Sequence, residues 1–539
     1  MSQMQATRTI DLATSAERAS AVIAAEFGAH EASHCADRSP CLIAHLPAIA
    51  AETWLITTVT STGEDSCTVD IVAMTDMKVP YFQWAITGMA LGQLERHADR
   101  CINVIECAIR AESPPDALKA PMLLANVPFT QRQASLLATA AMATAVATFG
   151  GSLFGQNAQN IQDSFDLSDQ ALTVALAASR AGALVALFVM GLADRVGRRR
   201  MILIGLIGMA IANALTALSP DVYTLTALQG VARGFVGAAA IVAGIAAIEE
   251  SPKGARAFAA AMLAMSGGFG FTAVVFLLPI ADRHPDAWRL SYLVSGLSVL
   301  IVPSVARNLT ESRRYTKLVA ADIERGRASE VVDRLYGKRF AVLAAVGFMT
   351  NMLSAPSAQL MNKYLDDRGF SNSGITGFRA ATTGFPGFIG IILAGKLTEV
   401  RGRRPVAALF LCLAGLCQIG FFLSSGIFLY VFSMLSVLAA SCGGLAISTM
   451  GAELFPTEVR GTSNGMLLVV SVVGSASGLI LAGLLADPLG GIGRAIALCA
   501  IPTVLAAVLF VPRLPEPAGQ DLDEISPNES LPEHAIVVD

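Results

Sequence analysis

The chain has 539 residues, of which 54% are hydrophobic and only 15% charged, and its mean hydropathy is +0.58. Soluble globular proteins carry about a quarter charged residues, so this composition excludes a protein that stays dissolved in water. The net charge of −4, without a basic tract interleaved with aromatic residues, gives no reason to expect a nucleic-acid partner. Outside residues 1–133 and 310–339, charge occurs only in short clusters.

Residues 1–125 are predicted to be a small soluble α+β domain. Thr14–Phe27 has a helical pattern, Thr53–Ser61 and Ser66–Thr75 have strand patterns around a turn, and a long amphipathic helix follows over Tyr81–Ala111. Two strands and a long helix resemble the helix-grip fold of polyketide-cyclase-like ligand binders. No secretory signal is visible in the first 50 residues, so we expect this domain on the cytoplasmic side.

One motif in this domain fits the H-E-x-x-H zinc pattern, with His30, Glu31 and His34 in the required positions. A metalloprotease needs this motif on an active-site helix with a third ligand and a substrate cleft. Little chain precedes it here, so a solvated helix face is favoured over a metal-binding role, and a metal-binding role over catalysis. We predict no catalytic residue, metal or cofactor, and no enzyme.

Twelve apolar stretches are long enough to cross a bilayer, which needs about 20 residues. They are numbered as spans 1 to 12 and cover approximately 134–156, 171–193, 199–218, 222–247, 256–280, 290–309, 339–362, 374–397, 404–424, 427–451, 462–486 and 492–512. The loops after spans 2, 4, 6 and 8 carry Lys and Arg, whereas the first outer loop has three aspartates and no cation. Positive charge marks the cytoplasmic side, so both termini are predicted to face the cytoplasm.

Two motifs repeat along the chain. The segment Leu192–Arg199 recurs as Leu397–Arg404, 205 residues later, and Glu249 with Arg256 recurs as Glu453 with Arg460, 204 later. Two motifs at nearly one offset indicate duplicated six-helix units. The loop Asp194–Arg199 and its copy resemble the signature loop of the major facilitator superfamily. Segments after span 6 (Glu311–Tyr315) and span 12 (Pro515–Ile525) are similar to its sugar-porter and organic-ion branches.

The resemblance implies an all-α membrane protein whose twelve helices form two pseudo-symmetric six-helix bundles. The predicted domains are the N-terminal domain, a first half (134–309), a cytoplasmic central loop (310–338), a second half (339–512) and a cytoplasmic tail (513–539). Acidic and basic residues recur at the cytoplasmic helix ends, which predicts a cytoplasmic gate that holds the two bundles together. Its candidates are Asp194, Arg195, Arg198, Glu249, Arg256, Glu311, Arg314, Glu399, Arg403, Glu453 and Arg460.

Polar residues inside a membrane are costly, so they predict the substrate pathway. The candidates are Gln156, Asn157, Asn160, Gln229, Arg233, Asn351, Gln359, Asn362 and Arg379. Asn157 and Asn362 differ by 205 positions and are expected to face one cavity. Arg233 is similar to the arginine motif of span 4 in the family. Asn157 occupies the position at which proton-coupled sugar porters have an aspartate, so uniport or exchange is predicted instead of proton symport.

The predicted function is secondary transport of a small organic solute, foremost an organic anion, across the plasma membrane by alternating access. The spans contain arginines but no carboxylate in mid-helix, which favours an anion. A sugar or polyol facilitator, or a proton symporter, is the alternative, and a transporter-like sensor or a membrane-anchored N-terminal ligand-binding or metal domain is another. The expected partners are the substrate and the lipid bilayer, and the protein is expected to be a monomer.

Overall fold

The computed structural model describes residues 4–32, 41–45, 53–75, 78–110, 129–184, 197–252, 255–284, 286–311, 334–455 and 457–516. The chain divides into two compact units. The first unit contains Met1–Met142, Gly244–Met262 and Arg307–Thr310, and the second contains Ala143–Ala243, Leu263–Ala306 and Glu311–Asp539.

An antiparallel sheet of five strands forms the N-terminal part of the first unit. The strands are β1 (Met4–Leu12), β2 (His30–Ala32), β3 (Cys41–His45), β4 (Thr53–Gly63) and β5 (Ser66–Thr75), in the spatial order β1-β5-β4-β3-β2. Helix α1 (Ala16–Phe27) follows β1 and helix α2 (Gln83–Arg110) follows β5. The predicted hairpin and both predicted helices are confirmed, whereas β1, β2 and β3 were not predicted from the sequence.

One face of this sheet and the two helices share a single hydrophobic core. Leu55, Val69 and Ile71 alternate along β4 and β5 and are fully buried together with Ile23 of α1 and Leu94 of α2. Alternation with a period of two places these residues on one face of the sheet, which is why the hairpin was recognisable from the sequence. The core therefore positions α1 and α2 on that face.

The H-E-x-x-H motif does not form a helix face. His30 and Glu31 lie in β2 and pair with Ile43 and Leu42 of β3. Successive residues of a strand point to opposite faces of a sheet, so the helical spacing that a zinc protease requires is not formed there. The expected solvated helix is thus wrong for these residues, and His34 lies outside the described residues.

The first unit also links its sheet domain to the start of span 1. The side-chain amide of Gln131 accepts a hydrogen bond from the backbone N–H of Lys78 (2.7 Å) and donates one to the carbonyl of the same residue (2.6 Å). Gln131 is the first residue of the span 1 helix. Within the same unit, Phe129 lies with its ring centroid 5.9 Å from that of Phe258 in span 5.

Eleven helices in the described part of the chain are long and apolar enough to cross a membrane. The helical segments of the spans are Gln131–Gln156, Asp169–Ser179, Arg198–Thr216, Val222–Glu250, Arg256–Val275, Trp288–Gly296 with Val302–Asn308, Arg334–Asp366, Asn372–Arg379 with Phe385–Arg401, Arg403–Leu423, Ile427–Glu453, Thr457–Leu489 and Ile492–Leu505. Span 2 begins with Asp169–Ser179, and residues 185–196 lie outside the described part. The structure thus supports eleven of the twelve predicted spans by length and composition.

The two halves pack their helices through matching glycines. A Cβ atom added at Gly270 of span 5 would lie 2.0 Å from the carbonyl oxygen of Ala145 in span 1. In the second half, a Cβ atom at Gly478 of span 11 would lie 2.0 Å from the carbonyl oxygen of Met352 in span 7. Small residues at such contacts let membrane helices approach closely, so the sequence repeat corresponds to a repeated helix contact.

Large apolar side chains remain exposed on the helices of the second unit. Leu218 is 74% exposed, Leu300 72% and Ile427 70%. A water-soluble protein rarely exposes so many apolar side chains, whereas a surface that contacts lipid normally does. The protein is therefore a multi-pass membrane protein.

Candidate functional site

Span 1 is interrupted at the residue that the sequence marked for the pathway. Its helix ends at Gln156, and Asn157 has φ −94° and ψ 14°, outside the helical region, before a short helix continues over Ala158–Phe165. This backbone conformation is sparsely populated and is frequent at functional sites. The segment 157–165, expected to leave the membrane as a loop, is thus largely helical.

Three predicted site residues meet beside this interruption. The Nη1 group of Arg379, in span 8, donates hydrogen bonds to Oε1 of Gln156 (2.8 Å) and to Oδ1 of Asn362 (2.6 Å). The Nδ2 group of Asn362, in span 7, donates to the backbone carbonyl of Gln156 (2.7 Å). Spans 1, 7 and 8 therefore join in one polar cluster, which we call the central cluster (Gln156, Asn362 and Arg379).

The charge of Arg379 is buried without a carboxylate partner. Its side chain is only 4% exposed, and its hydrogen bonds go to neutral amide oxygens. No described carboxylate lies within ion-pair distance of it. The guanidinium carbon lies 5.1 Å from the ring centroid of Phe271, which adds a cation–π contact. A buried cation with neutral partners alone is costly, and an anionic ligand would relieve that cost.

Several polar atoms around the central cluster have no hydrogen-bond partner. They are the Nε group of Arg379, Oδ1 of Asn157 and Oε1 of Gln359, all buried. Buried polar groups are nearly always hydrogen-bonded, so unpaired donors and acceptors in one place indicate room for a polar ligand or water. Gln359 contacts span 1 directly, because a Cβ atom added at Gly155 would lie 2.6 Å from its Cγ atom.

The helix of span 8 changes its winding directly after Arg379. Residues Ala380–Gly384 form a π-helix, and a regular helix resumes at Phe385. Short π-helical segments inside α-helices are frequent at functional sites. Thr383, within this segment, has a buried hydroxyl without a partner. Together with Phe271, Val275 and Arg379, it lines a shallow recess.

Three other predicted site residues lie in separate networks. The amide of Gln229 donates to Asn213 and to Thr216 of span 3, at 3.0 Å each. Asn351 donates to the carbonyl of Gly347 within its own helix. Asn160 accepts a weak hydrogen bond from Asn372 at 3.4 Å. These side chains connect or brace helices and are not part of the central cluster.

Arg233 forms a further polar contact, between spans 4 and 2. Its Nε group donates to the hydroxyl of Ser179 at 3.2 Å. The next residue in span 2 is Arg180, whose Nε group is buried and has no hydrogen-bond partner. Arg180 is not among the predicted pathway residues, although its place in an apolar stretch would have indicated it.

At the predicted cytoplasmic side, Glu311 contacts the start of span 3. Its carboxylate accepts hydrogen bonds from the backbone N–H groups of Arg198 (2.9 Å) and Arg199 (3.3 Å). Gly197, directly before them, has φ 104°, a conformation that favours glycine. A carboxylate at a helix N-terminus pairs with free N–H groups and with the helix dipole.

The second half repeats this contact with a residue that the list of gate candidates omitted. Glu516 accepts hydrogen bonds from the backbone N–H groups of Arg403 (2.8 Å) and Arg404 (2.9 Å), and Gly402 has φ 88°. Each carboxylate lies 113 residues after the first N–H that it binds. These contacts hold elements of the same half together, and a bridge between the halves through Glu311 stays a prediction.

The side chains of the remaining gate candidates lie outside the described structure. Residues Asp194, Arg195 and Arg314, and the side chains of Glu249, Arg256, Glu399, Glu453 and Arg460, lie outside the described part of the structure. A gate between the two halves remains a prediction for these residues.

At the predicted outer side, contacts do join the two halves. The ammonium group of Lys363 in span 7 forms ion pairs with Asp169 of span 2 (3.1 Å) and with Asp367 (3.3 Å). Asp282, after span 5, accepts hydrogen bonds from Asn372 and Ser373 at the start of span 8, both 2.8 Å. We call these contacts the outer clamp. Within it, burial raises the pKa of the Asp367 carboxyl.

Known proteins share the sequence pattern of the spans. The profile of the Major Facilitator Superfamily matches residues 140–427 and 340–536. A probable 4-methylmuconolactone transporter of Cupriavidus pinatubonensis is 26% identical over 353 residues, which cover 62% of this chain and 79% of that protein. A gallate transporter of Pseudomonas putida is 24% identical over 405 residues, which cover 67% and 88% of the two chains.

A solved structure shares the fold. The inward-open xylose transporter XylE from E. coli aligns with 72% of this chain and 98% of its own, with a TM-score of 0.59 and 15% sequence identity. Such identity is informative about the fold alone. The signature loops, the duplicated helix contacts and the family profile agree, and this membrane transporter belongs to the Major Facilitator Superfamily.

Proposed function

We propose that the protein moves a small organic carboxylate across the plasma membrane by alternating access. The observation that carries the proposal is Arg379, a buried guanidinium whose hydrogen bonds go to neutral amides. Its Nε group is unpaired, so a carboxylate could accept from this edge while Nη1 keeps its amide partners.

The central cluster also explains which solutes would be excluded. An organic cation would enter a site whose described charge is positive, and it would find no counter-charge there. A neutral sugar could hydrogen-bond to the amides of Gln156, Asn362 and Gln359 but would leave the charge of Arg379 unbalanced. The relatives named as 4-methylmuconolactone and gallate transporters support an organic anion.

The setting of the proposal is a monomer in the plasma membrane with both termini in the cytoplasm. The substrate would bind near the middle of the membrane, where spans 1, 7 and 8 meet. The outer clamp joins the two halves at the predicted outer side. From this conformation the substrate would therefore be released toward the cytoplasm.

Proteoliposomes containing the full-length chain would test the proposal with a charge-matched pair of solutes. Gallate and its neutral amide have the same ring and differ in one charge. We expect labelled gallate to be taken up and unlabelled gallate to compete with it, whereas the amide and xylose compete weakly. Equal uptake of the neutral amide, unaffected by Arg379→Gln, would overturn the proposal in favour of a sugar or polyol facilitator.

A further inference from the structure

Spans 2 and 4 each carry an arginine eleven residues into the helix. Arg180 lies eleven residues after Asp169, where the helix of span 2 begins, and Arg233 lies eleven residues after Val222, where that of span 4 begins. At 1.5 Å per residue this is about 16 Å, close to the middle of a hydrocarbon core about 30 Å thick. Neither side chain can therefore place its charge at the membrane surface.

The two helices touch between these arginines. A Cβ atom added at Gly182 would lie 1.7 Å from the carbonyl oxygen of Gly230, so the backbones are in direct contact there. On one side of this contact, the Nε group of Arg233 donates to the hydroxyl of Ser179, the residue before Arg180. The contact brings the two guanidinium groups into one region, where their charges repel each other.

The backbone of span 2 departs from a regular α-helix at Arg180. The carbonyl groups of Ala177, Ala178, Arg180 and Ala181 accept hydrogen bonds from N–H groups three residues further on. Such a tightened stretch inside a helix frequently marks a functional position. It is a local feature of the span and does not compensate the charge of the arginine.

Neither arginine has a carboxylate partner among the described residues. The side chain of Arg233 donates to the neutral hydroxyl of Ser179, and the Nε group of Arg180 is buried without any partner. Two adjacent cations at mid-membrane depth are more costly than one, because each must be desolvated and the two repel. Both side chains are only partly exposed.

A second buried donor without a partner lies near Arg233. Tyr292 of span 6 is fully buried, its hydroxyl has no hydrogen-bond partner, and it is within electrostatic range of Arg233. A buried phenol normally finds a partner. An anion between the arginines would accept a hydrogen bond from this hydroxyl and would also compensate the two positive charges.

We infer that Arg180 and Arg233 form a second anion site, distinct from the central cluster, that takes a carboxylate group. The inference rests on the proposed function, because it extends carboxylate recognition to a second position. The carboxylate could be the second acidic group of a transported dicarboxylate, or it could belong to a counter-anion that is exchanged for the substrate. Both sources share the chemistry that two guanidinium groups recognise.

Binding to the purified full-length protein in lipid nanodiscs tests the first source with benzoate and isophthalate, which differ by one carboxylate. Wild-type protein should bind isophthalate about tenfold or more tightly than benzoate, as an added charge-assisted pairing implies. Arg180→Gln should remove this preference and leave benzoate affinity unchanged, whereas Arg379→Gln should weaken both ligands. Arg494→Gln, which removes an exposed cation, serves as the matched control.

The second source is tested in proteoliposomes loaded with benzoate. Internal benzoate should accelerate the uptake of labelled gallate, and Arg180→Gln should abolish that acceleration. Arg180→Lys retains the charge without the planar fork and keeps the test open if the glutamine variant does not fold.

An unchanged dicarboxylate preference and unchanged acceleration in whichever variant folds would overturn the second site and leave the proposed function intact. Absence of any carboxylate binding by the wild-type protein would overturn both.

Discussion

Nη1 of Arg379 lies 2.6 Å from Oδ1 of Asn362, so a cation of span 8 is held by an amide of span 7. An amide orients the guanidinium without neutralising it. The same nitrogen contacts Gln156 at the end of span 1, which ties three spans to one charge. An anion that binds there would therefore act on both halves of the molecule.

Replacing Arg379 should abolish carboxylate transport. Arg379→Gln removes the charge, and Arg379→Lys keeps it but loses the planar fork, so we expect gallate uptake to fall at least tenfold in both. Initial uptake rates in proteoliposomes would measure this, with Arg494→Gln as the control for loss of a cation. Uptake within twofold of wild type in Arg379→Gln would show that the charge is not used.

Energy coupling should not require a proton. Asn157 occupies the position of the aspartate in proton-coupled relatives, and an amide does not titrate in the physiological range. With substrate equal on both sides of a proteoliposome membrane, an imposed pH gradient should drive no net accumulation.

Asn157→Asp restores a titratable carboxyl at the position where the buried Oδ1 of Asn157 has no hydrogen-bond partner, and it is the variant in which gradient-driven uptake would appear. Uphill uptake by the wild-type protein, abolished by an uncoupler, would contradict the prediction.

The carboxylates of Glu311 and Glu516 should stabilise their own halves independently. Each accepts from two backbone N–H groups at a helix start, an interaction of roughly 0.5–2 kcal/mol. Glu311→Gln and Glu516→Gln should each lower the Tm of the purified protein, and the double variant should lose the sum because the two contacts belong to different halves and share no residue. A strongly non-additive double variant would instead favour a direct link between the halves.

A disulfide across the outer clamp should lock the two halves together at the predicted outer side. Asp282 and Ser373 approach within 2.8 Å at their side-chain oxygens, so cysteines at both positions would lie close to each other. Oxidised Asp282→Cys with Ser373→Cys should lose uptake, and a reductant should restore it, whereas each single variant should be insensitive to oxidant. Full uptake by the cross-linked protein would mean that these ends need not separate.

The predicted topology places residue 325 inside the cell and residue 166 outside. It follows from the Lys and Arg of the loops after even-numbered spans. A membrane-impermeant thiol reagent applied to intact cells should label a single cysteine at position 166 and miss one at 325. The reverse pattern would place both termini on the outer side.

The sequence by itself determined the class of fold and the position of the spans. A helix that crosses lipid must satisfy its backbone internally and be apolar over about 20 residues, so its signal is local and readable. The 205-residue offset likewise indicated the duplication, which the contacts of Gly270 and Gly478 repeat. The short strands β2 and β3 could not be predicted, because they contain few residues and show no clear alternation.

Only the tertiary structure decided which polar residues work together. Gln156, Asn362 and Arg379 are separated by up to 223 positions, and their meeting depends on how spans 1, 7 and 8 pack. The same packing placed Gln229 in a separate network with span 3, although the sequence predicted it as a pathway residue in the same way as the other three. It also paired Glu516 with span 9, because the segment after span 12 reaches free N–H groups at a distant helix start, which no local pattern reveals.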